Sequence, residues 1–127
     1  MMQWFWWLMF GFSFLIPLFM IIFGLVFWFH PPKNINTYYG YRTTRSMKDD
    51  KSWLFAHHYF GKFWFYEGLL ILILTIILMS FLYNQSVEQI TWVSLSLVFG
   101  QSIFMTIPII FTENELKKEI SALIENA

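Results

Sequence analysis

Three stretches of the chain run for the length of a membrane crossing almost without a charge. Trp4 to Phe29 holds 26 residues with none, Phe63 to Tyr83 holds 21 with one, Glu67, and Ile90 to Phe111 holds 22 with none. About 20 apolar residues cross roughly 30 Å of hydrocarbon as a helix. Backbone groups in lipid must pair within their own segment, so each run is expected to be α-helical. The pattern predicts an all-α integral membrane protein. Its spans fall at about 4–29, 63–83 and 90–111, with a segment 30–62 between the first two and a tail 112–127. Residues 1–127 are read as a single domain. The first run lacks a basic leading region and is followed by His30-Pro31-Pro32 rather than a small-residue cleavage pattern. It is therefore expected to be a retained span, not a signal peptide.

Composition agrees with lipid as the solvent. Hydrophobic residues make up 57%, aromatics 23% and charged residues 13%, whereas a soluble domain carries about 25% charged residues. The sequence has no cysteine, which excludes disulfides, thiolate metal sites and thiol nucleophiles. The eight Lys and Arg residues sit on one side of the predicted topology. Lys33, Arg42, Arg45, Lys48, Lys51 and Lys62 lie between spans one and two, and Lys117 and Lys118 follow span three. The N-terminus and the Asn84–Gln89 turn hold none. Positive charge accumulates on the cytoplasmic side, so the N-terminus is expected outside and the C-terminus inside. Trp4, Trp6, Trp7, Tyr83 and Trp92 fall at the outer boundary, and Trp28 and Trp64 at the inner one, as aromatic belts would. The bilayer is thus the first partner. So little chain remains outside that an extracellular agent would be met within the membrane plane. Nothing calls for a nucleic-acid partner.

The polar stretch Ile35–Trp53 interrupts this pattern. Pro31-Pro32 ends the first helix. Asn34, Asn36 and Gly40 are turn residues, which predicts an irregular loop over Lys33–Arg45. Gly40, between Tyr39 and Tyr41, is expected to take a backbone conformation that other residues resist. The Tyr rings suit the headgroup layer. Asp49 and Asp50 mark a helix start. Trp53, His57, Phe60 and Trp64 follow at helical spacing as one aromatic stripe, on a helix expected to continue into span two with Gly61 as a candidate bend. Arg42, Arg45, Lys48 and Lys51 are open to two readings: a grip on lipid phosphates, or the topological signal alone. His57 and His58 point about 100° apart on a helix and cannot share a metal; His30 stands alone. No metal or cofactor is expected.

Glu67, Gln101 and Thr106 are the intramembrane polar candidates. Glu67 lies on the aromatic stripe, about 6 Å inside the inner boundary, where an ionisable group is costly and often functional. It either snorkels, pairs with Lys62 or a loop Arg, or faces the bundle with Thr106 as partner. Gln101 near mid-membrane wants a partner, and Ser96-xxx-Gly100 would allow close helix approach, as bundle packing, a polar pathway or a homo-oligomer seam. Pro17 and Pro108 each free a carbonyl inside a span. Thr112 and Glu115 have capping-box spacing, which predicts a separate short amphipathic helix with Leu116, Ile120, Leu123 and Ile124 on one face. The tail is acidic and the inner loop basic, so the two are expected to meet.

The order Asn36-x-x-Tyr39-Gly40-Tyr41-Arg42-Thr43-x-x-Ser46, ahead of a helix bearing Trp53, Ala56 and Gly61, resembles the SdpI family of bacterial membrane immunity proteins. The resemblance implies a multi-pass protein of the bacterial cytoplasmic membrane that protects its producer from a secreted, membrane-active peptide toxin. It implies two partners, the peptide and a cytoplasmic repressor-like protein, since the founding member binds its toxin and then holds a repressor at the membrane. That member carries a further membrane region beyond the part matched here. A toxin-binding protein with adaptable, Met-rich aromatic spans is the leading reading. The alternative is a small transport, proton-linked or scaffold subunit using Glu67, Gln101 and Thr106. A lipid-headgroup enzyme is disfavoured, because the loop has neither a nucleophile–base pair nor a cluster of acids.

Overall fold

The computed structural model describes residues 3–125 of the chain; Met1, Met2 and the last two residues of the expected tail lie outside the described residues. Three helices account for most of it: α1 (Gln3–Phe29), α2 (Asp50–Phe81) and α3 (Val87–Glu125). Each is long and apolar enough to cross a membrane. α2 begins where the two aspartates predict. Asp49 is the N-cap, accepting from the Ser52 N–H at 2.7 Å, and that bond holds its carboxyl below the usual range. The helix runs without interruption through the aromatic stripe into the apolar run. It stops at Phe81, so Leu82 and Tyr83 belong to the turn instead. Ser86 then starts α3, its Oγ accepting from the Gln89 N–H at 3.2 Å, a cap absent from the expectations above.

Gly61 is not a bend. It is half of a backbone-to-backbone contact with α1. A methyl built on Gly61 would lie 2.6 Å from the Trp28 nitrogen and 2.7 Å from the Gly24 oxygen. One built on Gly24 would lie 2.6 Å from the Phe65 nitrogen. Gly68 continues the seam against Ile21 and Pro17. Lipid tails are as apolar as the side chains they would cover, so close backbone approach, rather than apolar burial, favours helix association here. Within the chain, Ser96 and Gly100 do not bring two helices together: a methyl on Gly100 meets nothing within 4 Å.

Two clusters close the ends of the bundle. At the turn end, Trp6, Met79, Leu82 and Ile90 are buried together. Trp6 is therefore a core residue, not part of an aromatic belt: it is 5% exposed, and its indole N–H donates to the Met79 carbonyl at 2.7 Å. Trp4, Trp7 and Trp92 stay exposed, as belt residues would. At the loop end, Phe27, Tyr41, Ala56, Phe60 and Leu116 form the second cluster. Between them, Gln101 of α3 ties the helices together. Its amide donates to the Ser13 carbonyl of α1 at 3.1 Å and to Thr75 Oγ1 of α2 at 2.8 Å.

The tail differs from expectation. No separate helix starts at Thr112; α3 continues through it to Glu125, and the Thr112 hydroxyl is buried without a partner instead of capping. Neither Gly nor Pro follows Pro108 within α3. Extending a formed helix adds a bond per residue, whereas a new one must be nucleated. Of the expected apolar face only Leu116 is buried; Leu123 and Ile124 are exposed.

Candidate functional site

The loop between α1 and α2 is irregular, as the turn residues predict, but it is tightly tied. Asn36 Oδ1 accepts the backbone N–H groups of Tyr38 and Tyr39, at 3.1 and 2.7 Å. Arg42 reaches back to the Thr37 carbonyl. Gly40 has φ +117°, in the region other residues avoid, and even without strain a Cβ there would sit 2.6 Å from His57 Nε2. That close approach delivers the Tyr41 N–H to His57 Nε2 at 2.8 Å. The other ring nitrogen, Nδ1, lies 2.8 Å from the Trp53 carbonyl. One ring nitrogen must accept and the other donate, so His57 is the neutral tautomer protonated at Nδ1. Trp53 in turn donates its indole N–H to the Pro32 carbonyl at 2.7 Å.

The second half of the motif turns toward α3. The Tyr41 hydroxyl donates to Glu113 Oε2 at 2.7 Å, and Thr43 Oγ1 donates to the same oxygen at 2.9 Å. Arg45 pairs with Glu113 Oε1 at 3.3 Å. Ser46, fully buried, donates from its hydroxyl to the Tyr41 carbonyl at 2.9 Å and accepts the Thr43 N–H at 2.8 Å. Three donors from the loop thus converge on one carboxylate of α3, while the loop backbone is pinned to His57 of α2. Burial, and then the Glu113 carboxylate, push the Tyr41 hydroxyl well above the usual phenol range, so it remains a donor. The arrangement is a latch that joins all three helices at one end.

His57 makes the latch sensitive to acid. Burial, the first cause, lowers its pKa below the ordinary value of 6.5. The unfolded chain therefore binds a proton at a pH where the folded one does not. Stability is fully present above about pH 6.5 and is lost as pH falls below it. Thermal melting in detergent between about pH 8 and 5 is expected to be flat at the alkaline end and to decline below about 6.5. The part of that decline due to His57 should vanish in His57→Gln.

The remaining candidates divide. Lys48 and Lys51 are exposed near the α2 N-terminus, while Arg45 pairs with Glu113 and Arg42 with the Thr37 carbonyl. Tyr38 is 83% exposed and suits the headgroup layer, while Tyr41 is turned inward at 6%. Among the described residues no group of three His, Asp or Glu is placed to hold a metal. Glu67 pairs with neither Lys62 nor a loop Arg, and not with Thr106, which is exposed and bonds the Ile103 carbonyl at 2.7 Å. Lys62 lies over the Trp28 ring instead, 5.8 Å from its centroid.

Glu67 and Gln101 both line a cleft of about 990 Å³ between α2 and α3, though the Gln101 amide is bonded to Thr75, further along α2. Leu70, Ile71, Leu74, Leu97 and Phe104 supply its apolar lining, and Ser96 and Gly100 its floor on α3. Glu67 Oε1 and Gln101 Oε1 are both buried and have no hydrogen-bond donor.

A helical bundle with three membrane-length segments, closed at one end by a polar latch, is the class that these features define. A family model described as the SdpI/YfhL protein family matches residues 33–112, the loop, α2 and much of α3, and the chain belongs to that family. It is a multi-pass membrane protein by its helices and its family. It is 46% identical over 52 residues to the uncharacterized protein YfhL of Bacillus subtilis (strain 168); the match covers 41% of this chain and 47% of that relative, so the chain spans about half the relative's length. No solved structure matches it.

Proposed function

We propose that this chain is an immunity-type protein of the bacterial cytoplasmic membrane that protects its host by binding a membrane-active peptide inside the bilayer. It acts by binding, not by catalysis. The observation that carries this reading is the cleft between α2 and α3: a large apolar recess on helices of membrane length, with intramembrane polar groups in its wall. Family membership supplies the immunity context. The bias of Lys and Arg toward the loop and tail supports an N-terminus outside and a C-terminus in the cytoplasm. On that orientation the latch faces the cytoplasm, where a repressor-like partner would meet it.

Expression in a host sensitive to a secreted membrane-active peptide tests the reading. Survival at toxin levels that kill the parent strain is expected. Unchanged killing by every toxin encoded beside the gene would remove it. A proton-linked subunit is the second reading, favoured by Glu67 and Gln101 sharing one cleft. Thr106, the third residue of that reading, donates to the Ile103 carbonyl of its own helix.

A further inference from the structure

The cleft between α2 and α3 has the depth of one lipid leaflet. On α2 it runs from Tyr59 and Lys62 to Leu74. The second apolar run begins at Phe63, and Leu74 lies about 16 Å of helix further on. One leaflet of hydrocarbon is about 15 Å, half of a core of roughly 30 Å. At that depth the helices close again. Gln101 donates to Thr75, the residue after Leu74, at 2.8 Å, and Met79, Leu82 and Ile90 pack together beyond it. On α3 the deepest lining residues, Ser96 and Leu97, reach about one turn past Gln101. The accessible wall is apolar: Leu70, Leu74 and Phe104 are exposed, whereas Oε1 of Glu67 and of Gln101 are sealed off.

The polar groups gather at the mouth. Lys62 is exposed and lies over the Trp28 ring, 5.8 Å from its centroid. A cation on a ring face keeps its N–H donors free. Across the mouth, Lys118 of α3 pairs with Glu115 at 3.5 Å, and both act on Tyr59 through their charge. Those two charges offset each other, so Lys62 is the surplus, and it is positive. A transmembrane helix, from a second copy or elsewhere, would need a groove that ran the full thickness of the bilayer. A groove one leaflet deep, apolar along its wall and cationic at its mouth, fits a phospholipid lying parallel to its neighbours. Going beyond the peptide-binding reading, we propose that without peptide the cleft holds an acyl chain of an anionic phospholipid. Its phosphate sits on Lys62 and the chain lies along Leu70, Leu74 and Phe104. Glu67 is about 8 Å deeper than Lys62, beside the carbons of the chain and not at the phosphate. A peptide entering the cleft would displace this lipid.

The test uses the full chain in phosphatidylcholine nanodiscs doped with a lipid that carries a photoreactive diazirine in mid-chain. The doped lipid is phosphatidylglycerol in one sample and phosphatidylcholine in the other, and labelled residues are mapped by mass spectrometry. Leu70, Leu74 and Phe104 are expected to take about fivefold more label from phosphatidylglycerol, the worth of one interfacial lysine. Leu15 and Ile22, exposed on α1, should be labelled equally by both lipids and report a folded, inserted protein. Lys62→Gln should equalise the cleft labels and leave those on α1 unchanged. Lys62→Arg, which keeps the charge, should retain the preference, and so should Glu67→Gln. Leu70→Trp, filling the cleft, should remove the label on Leu74 and Phe104 from both lipids. Equal labelling of the wild-type cleft, a preference surviving in Lys62→Gln, or one lost in Glu67→Gln overturns the assignment. So does a wild-type cleft that takes no label, as a second copy seated there would cause. The discs hold no peptide, so a failed protection assay leaves this site standing, and a failed lipid preference leaves immunity standing.

Discussion

Replacing Glu113 by alanine is expected to release the loop from α3 at a cost of about 3 kcal/mol. Tyr41, Thr43 and Arg45 all lose their acceptor at once. A hydrogen bond to a charged group is worth about 1.5–3 kcal/mol. The sum is less than three such bonds, because the Arg45 side chain is 44% exposed and water screens its share. The buried Tyr41 hydroxyl carries most of the loss, since the Ile109 carbonyl at 3.4 Å is its only other acceptor. The loss should be read as a lower unfolding free energy in mild detergent, together with faster proteolysis between α1 and α2. Glu113→Gln, which keeps an acceptor oxygen, should lose less. An Ala variant as stable as the parent would mean that the latch does not hold α3.

The second large effect is expected at the α1–α2 seam. Gly61→Ala places a methyl within 2.7 Å of two backbone atoms of α1. Backbone cannot swing aside as a side chain can, so the helices must separate along the whole seam that Gly24 and Gly68 share. Overpacking of this kind costs about 1–3 kcal/mol where side chains can adjust, and about 3 kcal/mol or more is expected here. Gly100→Ala is the matched control. It adds the same methyl to a transmembrane helix but meets nothing within 4 Å, so its change should stay within about 0.5 kcal/mol. Equal effects of the two substitutions, measured by unfolding in denaturing detergent, would contradict the packing described.

These two residues also show where a sequence stops being readable. The spans were legible because hydrocarbon imposes a length and forbids charge, and both constraints are local. The start of α2 was legible because Asp49 and Asp50 satisfy their own helix end. Gly61 and Gly100 look alike in sequence, each a small residue among apolar neighbours, Gly61 just before the second apolar run and Gly100 inside the third. Only the rotation of each helix about its axis, fixed by the other two, decides which one meets a neighbour. The Tyr39–Thr43 run was legible as a motif but not as a mechanism. Its partners are His57 and Glu113, and Glu113 lies 72 residues from Tyr41. No periodicity links positions so far apart, and in the tail Glu113 is one acid among several. The acidic tail does meet the basic loop as charge alone suggests, through Glu113. Thr112–Glu115 has the spacing of a cap whether or not the chain is already helical, so the sequence suggests a new helix where α3 in fact continues.

Most directly, a double-mutant cycle between Tyr41→Phe and Glu113→Gln tests whether the motif exists to fasten the loop to α3. Both substitutions are close in shape and remove only the polar contact. The latch predicts a coupling energy of at least about 1 kcal/mol, in the range for directly bonded residues. Free energies of unfolding that simply add, within about 0.3 kcal/mol, would show that the two groups do not hold each other.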